Sequence, residues 1–359
     1  MDQRTEAEQR ERDARMDADL AFLEELEAHE EVEAETPIAL PSLATRDLEA
    51  EIAAARLMEG QRRDIAATLR APELDYAGLG FLSGLTRGET RTLRETWPTL
   101  LAEQRRHLVR AMDERAREDL DLDFARALRV ALRDREADVR AAAIDALWED
   151  RALDSLTAFA DALDRDADAT VRLAAARALA PFAVAAAADE IPETYGNRVR
   201  ETLLAAATSG VEEIEVTRAA TAAVGVFDDP RVRDVIRETY DRGSTEDRLA
   251  ALTAMGRSCD PRFLPTVQYD TEDDERDVRR EATRALGEMG LSAGVAEVIA
   301  RLDDEDRGVR LVAVTALGQI GDRESVRTLR EHRADDERDD WREAVDDALA
   351  EAELGESVV

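Results

Sequence analysis

The sequence contains no lysine, one cysteine and few aromatic residues. All 49 of its basic residues are arginine, and aromatic residues make up 4% of its 359 positions. Asparagine occurs once, at Asn197. Because lysine and asparagine share adenine-rich codons, their joint scarcity favours a GC-rich genome over a functional avoidance of lysine. The single cysteine, Cys259, excludes an internal disulfide bond and a cysteine metal cluster.

Long apolar runs and strand patterns are missing as well. No apolar run approaches the roughly 20 residues that a membrane-spanning helix needs, and the N-terminal residues lack the apolar segment of a secretory signal. The β-branched residues are scattered, and no alternating run is bounded by hairpin turns. We therefore expect an all-α, cytoplasmic protein.

Positive charge is scarce relative to negative charge. The chain has 83 acidic residues against 49 arginines, which gives a net charge of −34. A field of this sign repels phosphate backbones and anionic lipids, so nucleic acid and membrane are not expected as partners.

What the sequence does contain is one phrase that occurs seven times between Asp138 and Leu349. The phrase is an acid, an apolar residue, usually Arg, an Ala-rich stretch and then Ala-Leu or a close variant. The apolar position falls at Val139, Val171, Val216, Asp247 (polar in this copy), Val278, Val309 and Trp341, with spacings of 32, 45, 31, 31, 31 and 32 residues. A period of this length predicts a solenoid of stacked helical pairs.

The composition divides the chain into four segments. Residues 1–45 are predicted to be an acidic, largely disordered arm and linker, although apolar residues at helical spacing also allow a short helix formed on a partner. Residues 46–118 are predicted to be N-terminal helices and a degenerate capping repeat. The seven repeats occupy 119–351, with an insertion near 183–197, and 352–359 form a tail.

An Asp stands six residues before the Arg of the phrase in five repeats. The pairs are Asp134/Arg140, Asp166/Arg172, Asp273/Arg279, Asp304/Arg310 and Asp336/Arg342. Six residues span the turn between two helices, so this spacing predicts a structural ladder of charge-assisted hydrogen bonds along one edge of the stack. The alternative is an Arg row for anionic ligands. The pattern is absent from repeat three, which has Val211 and Thr217, and from repeat four, which has Arg242 and Arg248.

The long third repeat is the place where a partner contact is expected. Insertions in solenoids map to loops, often on the binding side. The predicted partner-binding residues are Ile191 and Tyr195 in the insertion and Arg248 in the neighbouring irregular repeat. The alternative is a tolerated surface insertion without a role.

Residue combinations typical of catalysis are missing. His29, His107 and His332 are isolated among charged residues, and no phosphate-binding glycine loop occurs. We therefore expect no catalytic, cofactor-binding or metal-binding residues. Trp97, Trp148 and Trp341 lie near repeat boundaries, where core packing is the favoured role.

The repeats resemble HEAT repeats, including the short type named after phycobilisome lyases. The resemblance covers roughly residues 90–350 and rests on the shared Asp, Val, Arg and Ala-Leu positions. The stretch from Arg94 to Asp150 also looks like the opening of bacterial HEAT proteins without assigned activity. The resemblance implies a right-handed α-α superhelix whose second helices line a concave face.

This resemblance, with the missing catalytic chemistry, favours a non-catalytic, monomeric scaffold that binds another protein on that concave face. The alternative is a phycobilin-lyase-like enzyme or an accessory subunit of one. HEAT proteins of DNA repair use a basic face, which the net charge disfavours.

Removing residues 1–35 should leave the thermal unfolding midpoint of the remaining chain nearly unchanged. So acidic a segment offers little apolar surface to dock on the repeats. Circular dichroism of the full and shortened chains measures the two midpoints. A large fall in the midpoint would show that the arm packs on the solenoid.

Overall fold

The computed structural model describes residues 65–69, 76–333 and 339–356. These belong to one compact unit, Arg63–Val359. Within the described ranges every regular element is an α-helix or a short 3-10 helix, which confirms the expected all-α solenoid. The predicted acidic arm, 1–45, lies outside the described residues.

The described chain begins with helices that precede the regular repeats. These are α1 (Ile65–Leu69), α2 (Arg87–Thr96) and α3 (Ala102–Glu118). Thr86 caps α2 in a capping box with Glu89, in which each side chain accepts a hydrogen bond from the other residue's backbone. Helices α2 and α3 lie where the sequence predicts a degenerate capping repeat, and α3 packs against α5 of the first regular repeat.

Each of the seven repeats consists of a first helix and a second helix. In chain order the pairs are α4 (Ala125–Ala131) with α5 (Ala137–Ala146); α6 (Leu153–Arg165) with α7 (Ala169–Ala178); then, after the extra helix α8 (Ala180–Ala187), α9 (Glu193–Thr208) with α10 (Ile214–Val224); α11 (Pro230–Asp241) with α12 (Thr245–Ser258); α13 (Leu264–Asp270) with α14 (Arg276–Met289); α15 (Val295–Ala300) with α16 (Arg307–Ile320); and α17 (Arg323–His332) with α18 (Asp339–Glu356).

Helix ends follow from local chemistry. Asp229 accepts the backbone N–H of Arg231 and is followed by Pro230 at the first helical position, which starts α11. Gly290 and Gly321 end α14 and α16 in the left-handed conformation. Cys259 takes the same role after α12 at φ 48°, a conformation that costs a residue with a Cβ about 1 kcal/mol or more.

The apolar position of the phrase lies at the centre of the stack. The valines that occupy it are at most 1% exposed: Val139, Val171, Val216, Val278 and Val309. Trp341 fills it in repeat seven, and Asp247 is 4% exposed in repeat four. A continuous apolar core therefore runs through all repeats, since neighbouring second helices contact one another along the stack.

The insertion predicted near 183–197 is present as an added helix, so the expectation that it forms a loop is wrong. Residues 180–187 form α8, and Glu193 already begins α9. The helix forms because this stretch is Ala-rich and starts with Pro181 in its first turn. The predicted tail is also shorter than expected, since α18 continues to Glu356 and buries Ala352.

One stretch corrects the expectation about apolar runs. By length and composition alone, Ala169–Ala187 is apolar enough to cross a membrane, although 39% of it is buried within the fold. Helices α7 and α8 divide it at Leu179. The core helices of soluble proteins pass the same test, so this stretch carries no membrane assignment.

A column of glycines brings the later second helices very close together. Gly225, Gly256, Gly287 and Gly318 recur every 31 residues. A Cβ placed on any of them would lie 2.7–2.8 Å from the Cα of an alanine on the next second helix. The alanines are Ala254, Ala285, Ala316 and Ala348. Only glycine permits this approach, and it packs the stack tightly on its second-helix side.

Gly287→Ala should lower the free energy of unfolding by about 1–3 kcal/mol, because the new methyl group overpacks against the backbone of α16. Its Cβ would lie 2.7 Å from Ala316 Cα, which cannot move without shifting the helix. Urea unfolding followed by circular dichroism measures the change.

Gly88→Ala is the matched control. Gly88 lies in α2 and an added Cβ meets nothing within 4 Å, so the helix preference of alanine should stabilise this variant slightly. Equal stability of Gly287→Ala and the parent chain would contradict the close packing.

Candidate interaction surface

The ladder joins each repeat to the next one. In each regular repeat, the Arg donates to the backbone carbonyl of the Asp six residues earlier and to the carboxylate of the following repeat. Arg140, for example, donates to Asp134 O at 2.6 Å and to Asp166 Oδ1 at 2.7 Å. The Asp also accepts the N–H two residues after it, as Asp166 does from Asp168. We call each inter-repeat pair a rung.

The rungs, with their shortest nitrogen–oxygen distances, are Arg105–Asp134 (2.6 Å), Arg140–Asp166 (2.7 Å), Arg172–Glu212 (2.7 Å), Arg218–Asp247 (2.8 Å), Arg248–Asp273 (2.6 Å) and Arg279–Asp304 (2.9 Å). Arg310 donates to Asp304 O at 2.7 Å. Asp336 lies outside the described residues, and Arg342 is exposed.

The predicted interruption of the ladder in repeats three and four is wrong. Glu212, next to Val211, reaches Arg172 with its longer side chain. Arg218, next to Thr217, reaches Asp247. A shift of one residue in the sequence is therefore absorbed by side-chain length and direction, and the rungs continue without a gap from α3 to repeat six.

Arg248 is a rung residue and not an open contact. It donates to Asp273 at 2.6 Å and to Asp270 at 2.7 Å, and its side chain is 20% exposed. Tyr240 donates to both oxygens of the buried Asp270 at 3.0 Å. Burial, followed by the charge of Asp270, raises the pKa of Tyr240 to about 12. These bonds leave Arg248 little freedom to serve as a partner-binding hot spot.

Ile191 and Tyr195 do not project from an aromatic loop. Both are partly buried and pack against the core, with Tyr195 in the first turn of α9. Helix α8 packs closely against the start of α9. A Cβ on Gly196 would lie only 3.1 Å from the Cβ of Ala186 in α8. A contact of these residues with a partner stays a prediction.

The rung at Arg279 is nearly shielded from solvent. The side chains of Arg279 and Asp304 are 8% and 3% exposed. Burial would raise the pKa of Asp304, but the bonds from Arg279 and from the backbone N–H of Asp306 outweigh it and hold that pKa below its ordinary value. The carboxylate is therefore ionised and stabilising at neutral pH.

The first rung includes a residue that sequence reasoning placed only in the core. Trp97 donates its indole N–H to Asp134 at 2.6 Å, beside Arg105, which is 1% exposed. Burial opposes ionisation of Asp134, yet these donors lower its pKa. Trp97 thus closes the N-terminal end of the ladder.

The second helices present a common face to solvent, which we call the second-helix face. It is defined by the residue five positions after each ladder position, on the side of the helix opposite the core: Arg110, Asp145, Arg177, Ala222, Thr253, Arg284, Thr315 and Asp347. All eight are exposed or half-buried. The face therefore runs the length of the repeats.

A polar network lies across this face between α10, α12 and α14. Arg257 donates to Ala222 O at 2.8 Å, and Arg284 pairs with Glu281 and Glu288. Thr253 donates to Glu281. Burial lowers the pKa of Arg257 and raises that of Glu288 although both side chains still touch solvent. Sequence reasoning missed this network, and the Glu281, Arg284, Glu288 spacing on α14 was its only signal.

The three tryptophans differ in burial. Trp97 and Trp341 are 3% and 2% exposed, as the sequence predicts. Trp148 is 45% exposed, so the prediction of core packing is wrong for it. In repeat one, Trp148 occupies the position that glycine occupies in the later repeats. Because α5 ends at Ala146, the ring lies beyond the end of the helix.

The described part of the chain offers little that could perform chemistry. No group of three or more His, Cys, Asp or Glu residues within it is placed to hold a metal ion. An open depression of about 870 Å³ lies between α17 and α18 and is lined mainly by Arg323, Arg327 and Arg330. Burial raises the pKa of the Cys259 thiol, which disfavours a nucleophilic thiolate.

Arg279→Ala should lower the free energy of unfolding by about 2–4 kcal/mol, because it removes the two hydrogen bonds to the buried Asp304 carboxylate and leaves it only Arg301, at 3.5 Å. Urea unfolding at neutral pH measures the loss. The loss should shrink as the pH falls through the depressed pKa of Asp304, since the protonated acid needs no guanidinium.

Arg327→Ala is the matched control on the exposed surface. Arg327 pairs with Glu324 at 3.2 Å, and its side chain is 64% exposed. Its removal should cost about 0.5 kcal/mol or less. Equal effects of the two substitutions would show that the rungs contribute no more than surface ion pairs.

Comparison with known proteins places the repeats in a family. Residues 266–350 match the family of HEAT repeats. No curated protein matches the chain. Among solved structures it is similar to the CpcE–CpcF complex of phycocyanin lyase from Nostoc, at 17% identity over 79% of this chain and 96% of that one, with a TM-score of 0.46.

Two further structures are similar at the same low level of identity. Human deoxyhypusine hydroxylase shares 19% identity over 74% of this chain and 96% of that chain, with a TM-score of 0.32. Kap95p, in its complex with RanGDP, shares 14% over 85% of this chain and 48% of that chain, with a TM-score of 0.45.

The matched segment contains repeats five to seven, from α13 to α18. Repeats one to four have the same paired helices, the same buried column and the same rungs between neighbours. Residues 266–350 are therefore HEAT repeats, at the end of a chain whose described repeats all stack as an α-helical solenoid.

Proposed function

We propose that this protein is a non-catalytic scaffold that binds another protein on its second-helix face. The single observation that carries the proposal is the continuous row of exposed and half-buried residues from Arg110 to Asp347, which no element of the described fold covers. A surface of this length suits an extended protein partner better than a small molecule.

The tight packing of the second helices supports a concave face. The glycine column draws α10, α12, α14, α16 and α18 together, and second helices contact their successors more closely than first helices do. A stack that is tighter on one side bends towards that side. The second-helix face would then be the inner surface of the curve.

The distribution of charge along the face supports a protein partner with a mixed surface. Its early rows carry Arg110, Asp145 and Arg177, its middle rows are uncharged at Ala222 and Thr253, and its last row ends at Asp347. The face thus combines positive, negative and small uncharged positions, which suits a partner surface of mixed charge better than a uniform polyanion.

Catalysis is the weaker hypothesis. Arg284, in the polar network on the face, is paired with Glu281 and Glu288, and these ion pairs give the three residues a structural role. The monomeric state and the cytoplasmic location stay predictions from the sequence.

The test is affinity capture with the full chain and two matched variants. Thr315→Arg places a bulky charge on the exposed middle of α16, on the second-helix face. Tyr269→Arg places the same charge on α13, where Tyr269 is 77% exposed on a first helix. We expect a captured protein to lose at least about tenfold in affinity to the first variant and to keep its affinity for the second.

Two outcomes would contradict the proposal. Equal binding of a captured protein to Thr315→Arg and the parent chain would remove the second-helix face from the contact. A new absorbance band on mixing the chain with a free tetrapyrrole would favour the lyase-like alternative over a non-catalytic scaffold.

A further inference from the structure

Trp148 is exposed where the other two tryptophans are buried. Its exposed fraction is 45%, in a chain with only three tryptophans. Leaving so large an aromatic surface in water forgoes the stabilisation that its burial would bring. The exposure follows from the early end of α5 at Ala146, whereas α12, α14 and α16 each continue beyond a glycine at the same position.

The ring is held in place by an arginine. The guanidinium carbon of Arg117 lies 5.2 Å from the ring centroid, within the range of a cation–π contact. Arg117 is itself fixed by Asp113, at 2.9 Å. The indole is thus ordered before any partner arrives, which lowers the entropy lost on binding.

Leu120, close to Arg117 in the chain, is a second exposed apolar side chain. Leu120 stands three residues after Arg117, in the turn that follows α3, and it is 80% exposed. Tryptophan and arginine are the residue types most enriched at binding hot spots. We call Arg117, Leu120 and Trp148 the Trp148 patch.

Negative charge exceeds positive charge beside the patch, where Arg151 donates to Trp148 O at 2.8 Å and three acids stand against it. Asp119, Asp121 and Glu149 are exposed or half-buried beside it in the chain, and none of the three has an arginine in ion-pair contact. The field of Glu149 contributes to the raised pKa of Arg117, after the bond and charge of Asp113. An incoming segment meets an apolar centre within an acidic rim.

We propose that the Trp148 patch is the anchor for a basic segment of the protein partner, one that presents an apolar side chain to the indole and lysine or arginine to the acidic rim. This inference rests on the proposed function and gives its partner a chemistry. An acidic segment would meet like charges at Asp119, Asp121 and Glu149.

The test uses a short helical peptide with two leucines on one face and lysines elsewhere, and a second peptide in which every lysine is glutamate. Fluorescence anisotropy of the labelled peptides measures affinity for the full chain. We expect the lysine peptide to bind, the glutamate peptide not to bind, and Trp148→Ala to weaken lysine-peptide binding by at least about tenfold.

Leu120→Ser is a second variant, expected to weaken binding in the same direction, and Tyr269→Ala is the control. Tyr269 is an aromatic residue more exposed than Trp148, at 77% on α13, and far from the patch in the chain, so its removal should leave peptide affinity unchanged. Circular dichroism verifies that each variant keeps its helices.

The inference is overturned if the lysine peptide does not bind, if it binds Trp148→Ala as well as the parent chain, or if both peptides bind equally. A captured protein that binds Trp148→Ala with full affinity but loses affinity for Thr315→Arg would remove the Trp148 patch from the contact and leave the scaffold function standing. Loss of neither would overturn both.

Discussion

The contact on which this structure depends is an arginine that belongs to two repeats at once. It donates to a carbonyl at the turn of its own repeat and to a carboxylate at the turn of the next, as Arg279 does with Asp273 O and Asp304. An Ala-rich core with few aromatic residues fixes the relative rotation of stacked pairs only loosely. The directed bonds of a guanidinium supply that orientation at every interface, because they require both partners in one geometry.

Packing adds a second, unequal constraint along the stack. From α10 onward the glycine column lets second helices meet backbone to backbone, while α5 and α7 are shorter and end before an equivalent contact forms. The two ends of the molecule therefore differ in kind. The later repeats form a closely packed surface with an internal polar network, and the earlier ones leave open helix ends, among them the one that exposes Trp148.

Much of this could be predicted from spacing alone. The period of the phrase gave the helical pairs, and the six-residue offset of Asp and Arg placed both at the turn, as at Asp134 and Arg140. The spacing wrongly predicted a gap in the ladder at repeats three and four. There Glu212 and Arg218 stand one residue after the expected positions, and their long side chains still form the rungs. Prediction from spacing also failed at Trp148 and Tyr195, whose exposure depends on where a helix ends and on an added helix, which the phrase does not encode.

The third repeat shows how widely the number of residues between the two partners of a rung can vary. The partners of a rung are 26 residues apart at Arg140–Asp166, 25 at Arg279–Asp304 and 40 at Arg172–Glu212. Closing a loop of 40 residues instead of 25 costs only about 0.4 kcal/mol more in chain entropy. A rung is thus nearly insensitive to the number of residues between its two partners. This segment accommodates the whole of helix α8, and the rung still forms. Changes in the length of such a protein are most easily accommodated between an arginine and its next carboxylate.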